Sequence, residues 1–274
     1  MNRKNFWIGF VAALAFGVVG CGDDSGSGGT GGTGGIPMGT ANVTAVHLAP
    51  EVPSAESTAV ALFVNGEEQT ALGTLEYSKS TGKIPFPAGT YDIGIGLPGE
   101  DAPLLQLDGV VLADGDDLVV VAYRTNAQLP VDVFVFVNST EGLASGEGRV
   151  FVGHGANDSA LDPVDVSLGV DPDCSTLIPG FVFETIRPDA DEGVLDLAEG
   201  TYQIGFDLTP DDMSDCADFG PVGVPVTPNV VSILIAVDEN TTDTTEDAQA
   251  LNPELWAIIP DAEDPQPIRT IQAQ

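Results

Sequence analysis

The 274-residue chain carries 42 Asp and Glu against 8 Lys and Arg, a formal net charge of −34. That surplus of carboxylate repels phosphate, which excludes nucleic acid and anionic membrane surface as partners held by charge. With 33 glycines, 20 prolines, short valine-rich runs and no long apolar stretch of helical period, the chain predicts an all-β body of one or two domains with many turns.

In chain order, Arg3 and Lys4 precede an apolar run from Phe6 to Val19. A short positive region followed by about 7–15 apolar residues is the layout of a secretory signal. The run is too short to span a bilayer, which takes about 20 residues. It ends in Val18-Val19-Gly20-Cys21, which resembles the lipobox of bacterial lipoproteins. The resemblance implies that residues 1–20 are a cleaved signal peptide and that Cys21 is the lipid attachment site. It also implies an exported protein held on the cell envelope by its lipid. Gly22 stands where an acidic residue retains some lipoproteins at the inner membrane, so the outer membrane is expected, with the body facing periplasm or exterior. Residues 21–40, rich in glycine, serine and threonine, bury too little apolar surface to fold and are expected to form a flexible tether.

The rest of the chain repeats itself. Val43–His47, Val60–Gly66 and Pro87-Ala-Gly-Thr-Tyr91 in the first half are echoed by Val150–His154, Val164–Leu168 and Ala198-Glu-Gly-Thr-Tyr202 in the second. His47 and His154 lie 107 residues apart, and the Gly-Thr-Tyr triplets 111 apart. Tyr91, Ile93, Ile95 and Leu97 alternate with Asp92, Gly94 and Gly96, and Tyr202, Ile204, Phe206 and Leu208 repeat the alternation. Such a period of two predicts half-buried strands. Continuous runs at Leu118–Tyr123, Val131–Val137, Val230–Val237 and Leu255–Ile259 predict central strands covered on both faces. The expected fold is two tandem antiparallel β-sandwiches of immunoglobulin-like or transthyretin-like kind, at 41–138 and 149–260. A linker at 139–148 and a disordered tail at 261–274 complete the division.

These segments resemble a known family. His47-Leu-Ala-Pro-Glu51, Val60–Val64 ending in Asn65-Gly66, and Pro87–Tyr91 are the residues that carry the likeness. The family is catalogued only as domain of unknown function 4397 and is common in bacterial exported proteins. The likeness extends twice over residues 41–260. The second copy departs where Gly155-Ala-Asn-Asp158 replaces the proline-containing run and Asp171-Pro-Asp-Cys174 replaces the Asn-Gly turn. The resemblance implies a fold and a compartment, and supplies no catalytic residues.

Cys174 and Cys216 are the only cysteines after Cys21. In an exported protein they are expected to form a disulfide. A metal site is the alternative, but zinc takes three or four protein ligands and no histidine stands at finger spacing. His47 and His154 occupy matching positions, which predicts a scaffold role such as a hydrogen bond holding the loop after the first strand. Asp114-Gly-Asp-Asp117 and Asp189-Ala-Asp-Glu192 could ligate calcium, although neither follows the EF-hand pattern, and solvated turns are the expectation. Trp256, Tyr77, Phe134 and Phe136 could form an exposed platform for sugar, while Phe134 and Phe136 could instead face the neighbouring sandwich. No catalytic residue, metal or cofactor is expected. The functional expectation is a non-enzymatic binding, adhesion or spacer protein, anchored to the membrane by its lipid and meeting an unidentified envelope or extracellular ligand. The alternatives are a carboxylate-based envelope hydrolase and a carbohydrate-binding module.

Overall fold

Among the described residues, valine- and isoleucine-rich runs, punctuated by glycine, proline and asparagine, fold as eighteen strands in four sheets. The structure is a computed structural model that describes residues 39–50, 52, 58–125, 131–156, 163–168, 175–182, 185–187, 195–207, 219–237, 254–260 and 266–270. Cys21, Cys174 and Cys216 lie outside these, as do the expected signal, nearly all of the expected tether, and the acidic run at 189–192.

In the first half the strands are β1 (Thr40–Leu48), β2 (Ala61–Val64), β3 (Glu67–Glu68), β4 (Lys79–Pro87), β5 (Gly89–Gly96), β6 (Leu105–Leu112), β7 (Asp117–Arg124) and β8 (Val131–Val137). They make one sheet of order β4-β1-β7-β8 and another of order β3-β2-β5-β6. Asn65 and Gly66 adopt φ of 53° and 79°. Left-handed values at both positions make the tight turn that joins β2 to β3.

The second half contains β9 (Glu147–Gly155), β10 (Val164–Leu168), β11 (Ser175–Phe181), β12 (Thr185–Arg187), β13 (Leu195–Ala198), β14 (Gly200–Asp207), β15 (Phe219–Val226), β16 (Val231–Val237), β17 (Glu254–Ile258) and β18 (Gln266–Thr270). One sheet runs β12-β9-β16-β17-β18, with β13 also on β9, and the other runs β11-β10-β14-β15. The strand orders of the first half thus recur, with β9, β10, β14, β15, β16 and β17 in the places of β1, β2, β5, β6, β7 and β8.

Two features differ from the expected antiparallel pattern with a loose tail. β1 pairs with β7 in parallel, and β9 with β16 likewise. Parallel neighbours need a long connection; here it passes through the other sheet of the same half before returning. The tail contributes β18, which pairs antiparallel with β17 from Thr270↔Glu254 to Gln266↔Ala257. Pro267 is tolerated there because β18 is an edge strand. Glu147 and Gly148, placed in the linker by sequence, open β9.

Apolar side chains stack the four sheets. Within the first half, Ala41, Val43, Ala45, Leu118, Val120 and Ala122 face Leu62, Ile95 and Leu112 of the other sheet. In the second, Val150, Val152, Leu234 and Ala236 face Val164, Val166, Ile204 and Val224. Between the halves a third core joins Val119, Val121, Tyr123, Phe134 and Phe136 to Ile233, Ile235, Val237, Trp256 and Ile258. β7 and β16 are therefore covered on both faces, which is why their sequences are continuous rather than alternating.

This seam between halves is closely fitted. The Tyr123 and Phe134 rings stack at 4.1 Å and 9°. They lie against bare β9 backbone: a Cβ on Gly155 would stand 3.0 Å from the Tyr123 ring. A side chain there would require the Tyr123 ring to give by a few tenths of an ångström.

Candidate functional site

Two recurring devices and two polar constellations stand out among the described residues. The first device is the tyrosine of the Gly-Thr-Tyr motif. Tyr91 donates its hydroxyl proton to the Pro87 carbonyl at 2.7 Å, and Tyr202 donates to the Ala198 carbonyl at 2.9 Å. The ring folds back over the glycine two residues earlier; a Cβ on Gly89 would lie 3.3 Å from the Tyr91 ring. A side chain at position 89 would press on that ring, whereas at Gly200 a Cβ would stand 3.6 Å from the Tyr202 ring, an ordinary contact. Tyr91→Phe and Tyr202→Phe are each expected to lower stability by about 0.5–1 kcal/mol. The readout is the urea midpoint at unchanged slope; a double variant should give roughly the sum of the two losses.

The second device is the histidine. His47 pairs in register with Ala122 on one side and Lys79 on the other, and His154 with Ala236 and Thr185. Both are 1% exposed. His47 Nε2 meets the Thr58 carbonyl at 2.8 Å and the Val52 carbonyl at 3.3 Å, while the Ala49 amide donates to Nδ1 at 3.3 Å. Carbonyls only accept and an amide N–H only donates, so the ring is the neutral Nε2–H tautomer. Burial pushes its pKa below the ordinary imidazole value, outweighing the opposing pull of the Thr58 and Val52 carbonyls and the Glu76 charge. The expected scaffold bond after the first strand is therefore present at His47. His154 packs its ring 5.7 Å from that of Phe181.

One polar constellation lies around Asp114–Asp117. Asp114 accepts from the Thr40 amide and Asp116 from the Ala113 amide. Asp117 accepts from Asn138 at 2.8 Å and pairs with Lys83 at 2.7 Å, tying β4, β7 and the end of β8 together. These carboxylates serve turns and strand ends, and among the described residues no three His, Cys, Asp or Glu side chains are grouped to hold a metal.

The other constellation was not foreseen from sequence. Arg149, on β9, forms a two-pronged pair with Asp196 of β13 at 2.9 and 3.1 Å. It also donates to the carbonyls of Ser139 at 2.8 Å and Glu141 at 3.2 Å. Arg149 is 8% exposed. It clamps the segment joining the halves onto the second half. A lone cation heading the apolar run Val150-Phe-Val, in a chain with 8 Lys and Arg, was the available signal.

The sugar platform considered from sequence is corrected. Trp256 is 7%, Phe134 6% and Phe136 1% exposed, and Tyr77 is half-buried against Trp256 at 5.9 Å between ring centres. These aromatics are consumed by the seam between halves, as the alternative reading of Phe134 and Phe136 anticipated.

What emerges is an all-β protein of stacked sheets in which His47 and Arg149 hold backbone. Residues 41–167 match the family described as Domain of unknown function (DUF4397). The match runs from β1 into β10. No curated protein matches the chain.

Proposed function

We propose that the protein is a lipid-anchored component of the bacterial cell envelope, held by Cys21, whose body is two tandem copies of one β module acting as a rigid binding, adhesion or spacer element. The observation that carries this reading is the core shared by both halves, which joins them into one stiff body. Burial of both histidines and the use of Asp114, Asp116 and Asp117 in turns leave these groups to structure rather than to a substrate.

Anchoring is tested by Cys21→Ser in a bacterial host. The wild-type chain should partition into the membrane fraction and carry acyl mass on its N-terminal peptide; the variant should be released as soluble exported protein. Equal partitioning of the two would remove the anchor from the proposal. The non-enzymatic reading is tested by incubating the protein with purified envelope glycans and peptidoglycan. Retention without covalent change supports a binder. Release of shorter fragments would favour a hydrolase.

A further inference from the structure

His47 stands at the head of a line of aromatic contacts that ends in the other half of the molecule. Its ring meets Tyr77 edge-on at 6.3 Å, and Tyr77 meets Trp256 edge-on at 5.9 Å. Trp256 lies on β17 and is part of the core shared between the halves. His47 holds backbone on its own side through Val52, Thr58 and Ala49. The strand after Tyr77 is tied in as well, since the Ser78 amide donates to the His47 carbonyl at 2.8 Å.

We propose that His47 is an acid-operated tie, whose protonation releases the backbone at Ala49, Val52 and Thr58 from β1 and, through Tyr77 and Trp256, loosens the seam between the halves. A proton on Nδ1 would face the Ala49 amide, a donor against a donor, inside a site closed to water. The surrounding charges offer little relief. Glu76, in the turn before β4, is exposed, and one of its oxygens already accepts from the Thr58 hydroxyl at 3.1 Å. Lys79, opposite on β4, adds positive charge on an exposed side chain. β7 presents the neutral Ala122. From β17 the nearest group in the line is the uncharged indole of Trp256.

The sign follows from the depressed folded-state pKa. At pH below about 6.5 the unfolded chain takes up a proton that the folded chain refuses. Stability is full above that value and falls as pH drops toward the folded-state pKa. A body carried on an outer membrane meets the pH of its surroundings, so the tie would report external acidity.

The test compares the full processed chain with its His47→Gln variant, since glutamine keeps one donor and one acceptor but does not titrate. Trp256 is the only tryptophan beyond Trp7 of the signal, so its emission reports the seam. Between pH 7.5 and 5.0 the wild-type folding equilibrium constant should fall by a larger factor than that of the variant. Wild-type emission should also shift reversibly to longer wavelength in acid, and the variant's should not. Identical pH profiles would overturn the proposal. Should the variant fail to fold, the wild-type Hε1 resonance of His47, assigned with His154→Gln, decides the matter. Titration near pH 6.5 with an unmoved Trp256 indole signal overturns it. Resistance to titration, followed by loss of that indole signal in acid, supports it.

Discussion

Phe136→Ala lowers the unfolding free energy by about 3–5 kcal/mol, the range for emptying a buried phenylalanine site. Phe136 comes from β8 and is 1% exposed, with ring centres 6.1 Å from Phe134 and 5.6 Å from Phe151 on β9. Its void opens between two sheets whose backbones are fixed by their own ladders, so neighbouring chains cannot collapse into it. The diagnostic part of the result is where the loss is felt. Phe136 belongs to the first half and Trp256 to the second, yet both occupy one core. In urea titrations the Trp256 emission midpoint should therefore move together with the far-ultraviolet circular dichroism midpoint. A variant that shifts the dichroism but leaves the Trp256 midpoint at its wild-type value would show that the seam does not couple the halves.

Arg149→Ala is the second large effect, with an expected loss of about 3 kcal/mol. Removing the guanidinium strands the Asp196 carboxylate, whose side chain is 17% exposed, and deprives the Ser139 and Glu141 carbonyls of their donors. Breaking a buried pair from one side is costlier than never having built it. Arg149→Lys should recover less than half of the loss, because one ammonium cannot place protons on a carboxylate and two carbonyls in the planar fan that arginine provides. Asp196→Asn, which keeps shape and removes charge, should cost less than Arg149→Ala. The comparison is made by thermal unfolding of the three variants at matched ionic strength; a loss within 0.5 kcal/mol of zero for Arg149→Ala, about the scatter of ordinary surface substitutions, would mean that the clamp is ornamental.

How far the sequence foretold this depends on where each strand sits in its sheet. Interior strands were legible. β1, β2, β5, β7, β9, β10, β14, β16 and β17 all coincide with runs marked by the internal repeat, by alternation or by unbroken apolar stretches. β8 is an edge strand, yet it was legible because its side chains are taken up by cores on both faces. The remaining edges were not. β4 reads Lys-Ser-Thr-Gly-Lys-Ile-Pro-Phe-Pro, and β15 reads Phe-Gly-Pro-Val-Gly-Val-Pro-Val. Prolines, glycines and lysines discourage a further strand from adding to an open ladder, and the same residues erase the periodic signal. β8 is guarded more discreetly, by Asp132 accepting from the Val133 amide at 2.8 Å. At the candidate site, the scaffold role of His47 was legible from its recurrence at His154. Its link to Trp256 was not, since residues 47, 77 and 256 meet only once the sheets have stacked. The Arg149–Asp196 pair shares that limit: its partners are 47 positions apart with no motif to join them.

The parallel pairing of β1 with β7 sets a timetable for how the body is made. Asn42 must wait for Asp117 and Leu48 for Tyr123 before the first strand, already paired with β4, gains its second neighbour. Closing such distant contacts is slow compared with forming hairpins. A chain emerging from its N-terminus would thus deliver β1 first and complete its pairing only when most of the first half has followed. Chains cut short before Leu118 would present β1 with an unpaired apolar flank, making them natural clients for chaperones and proteases.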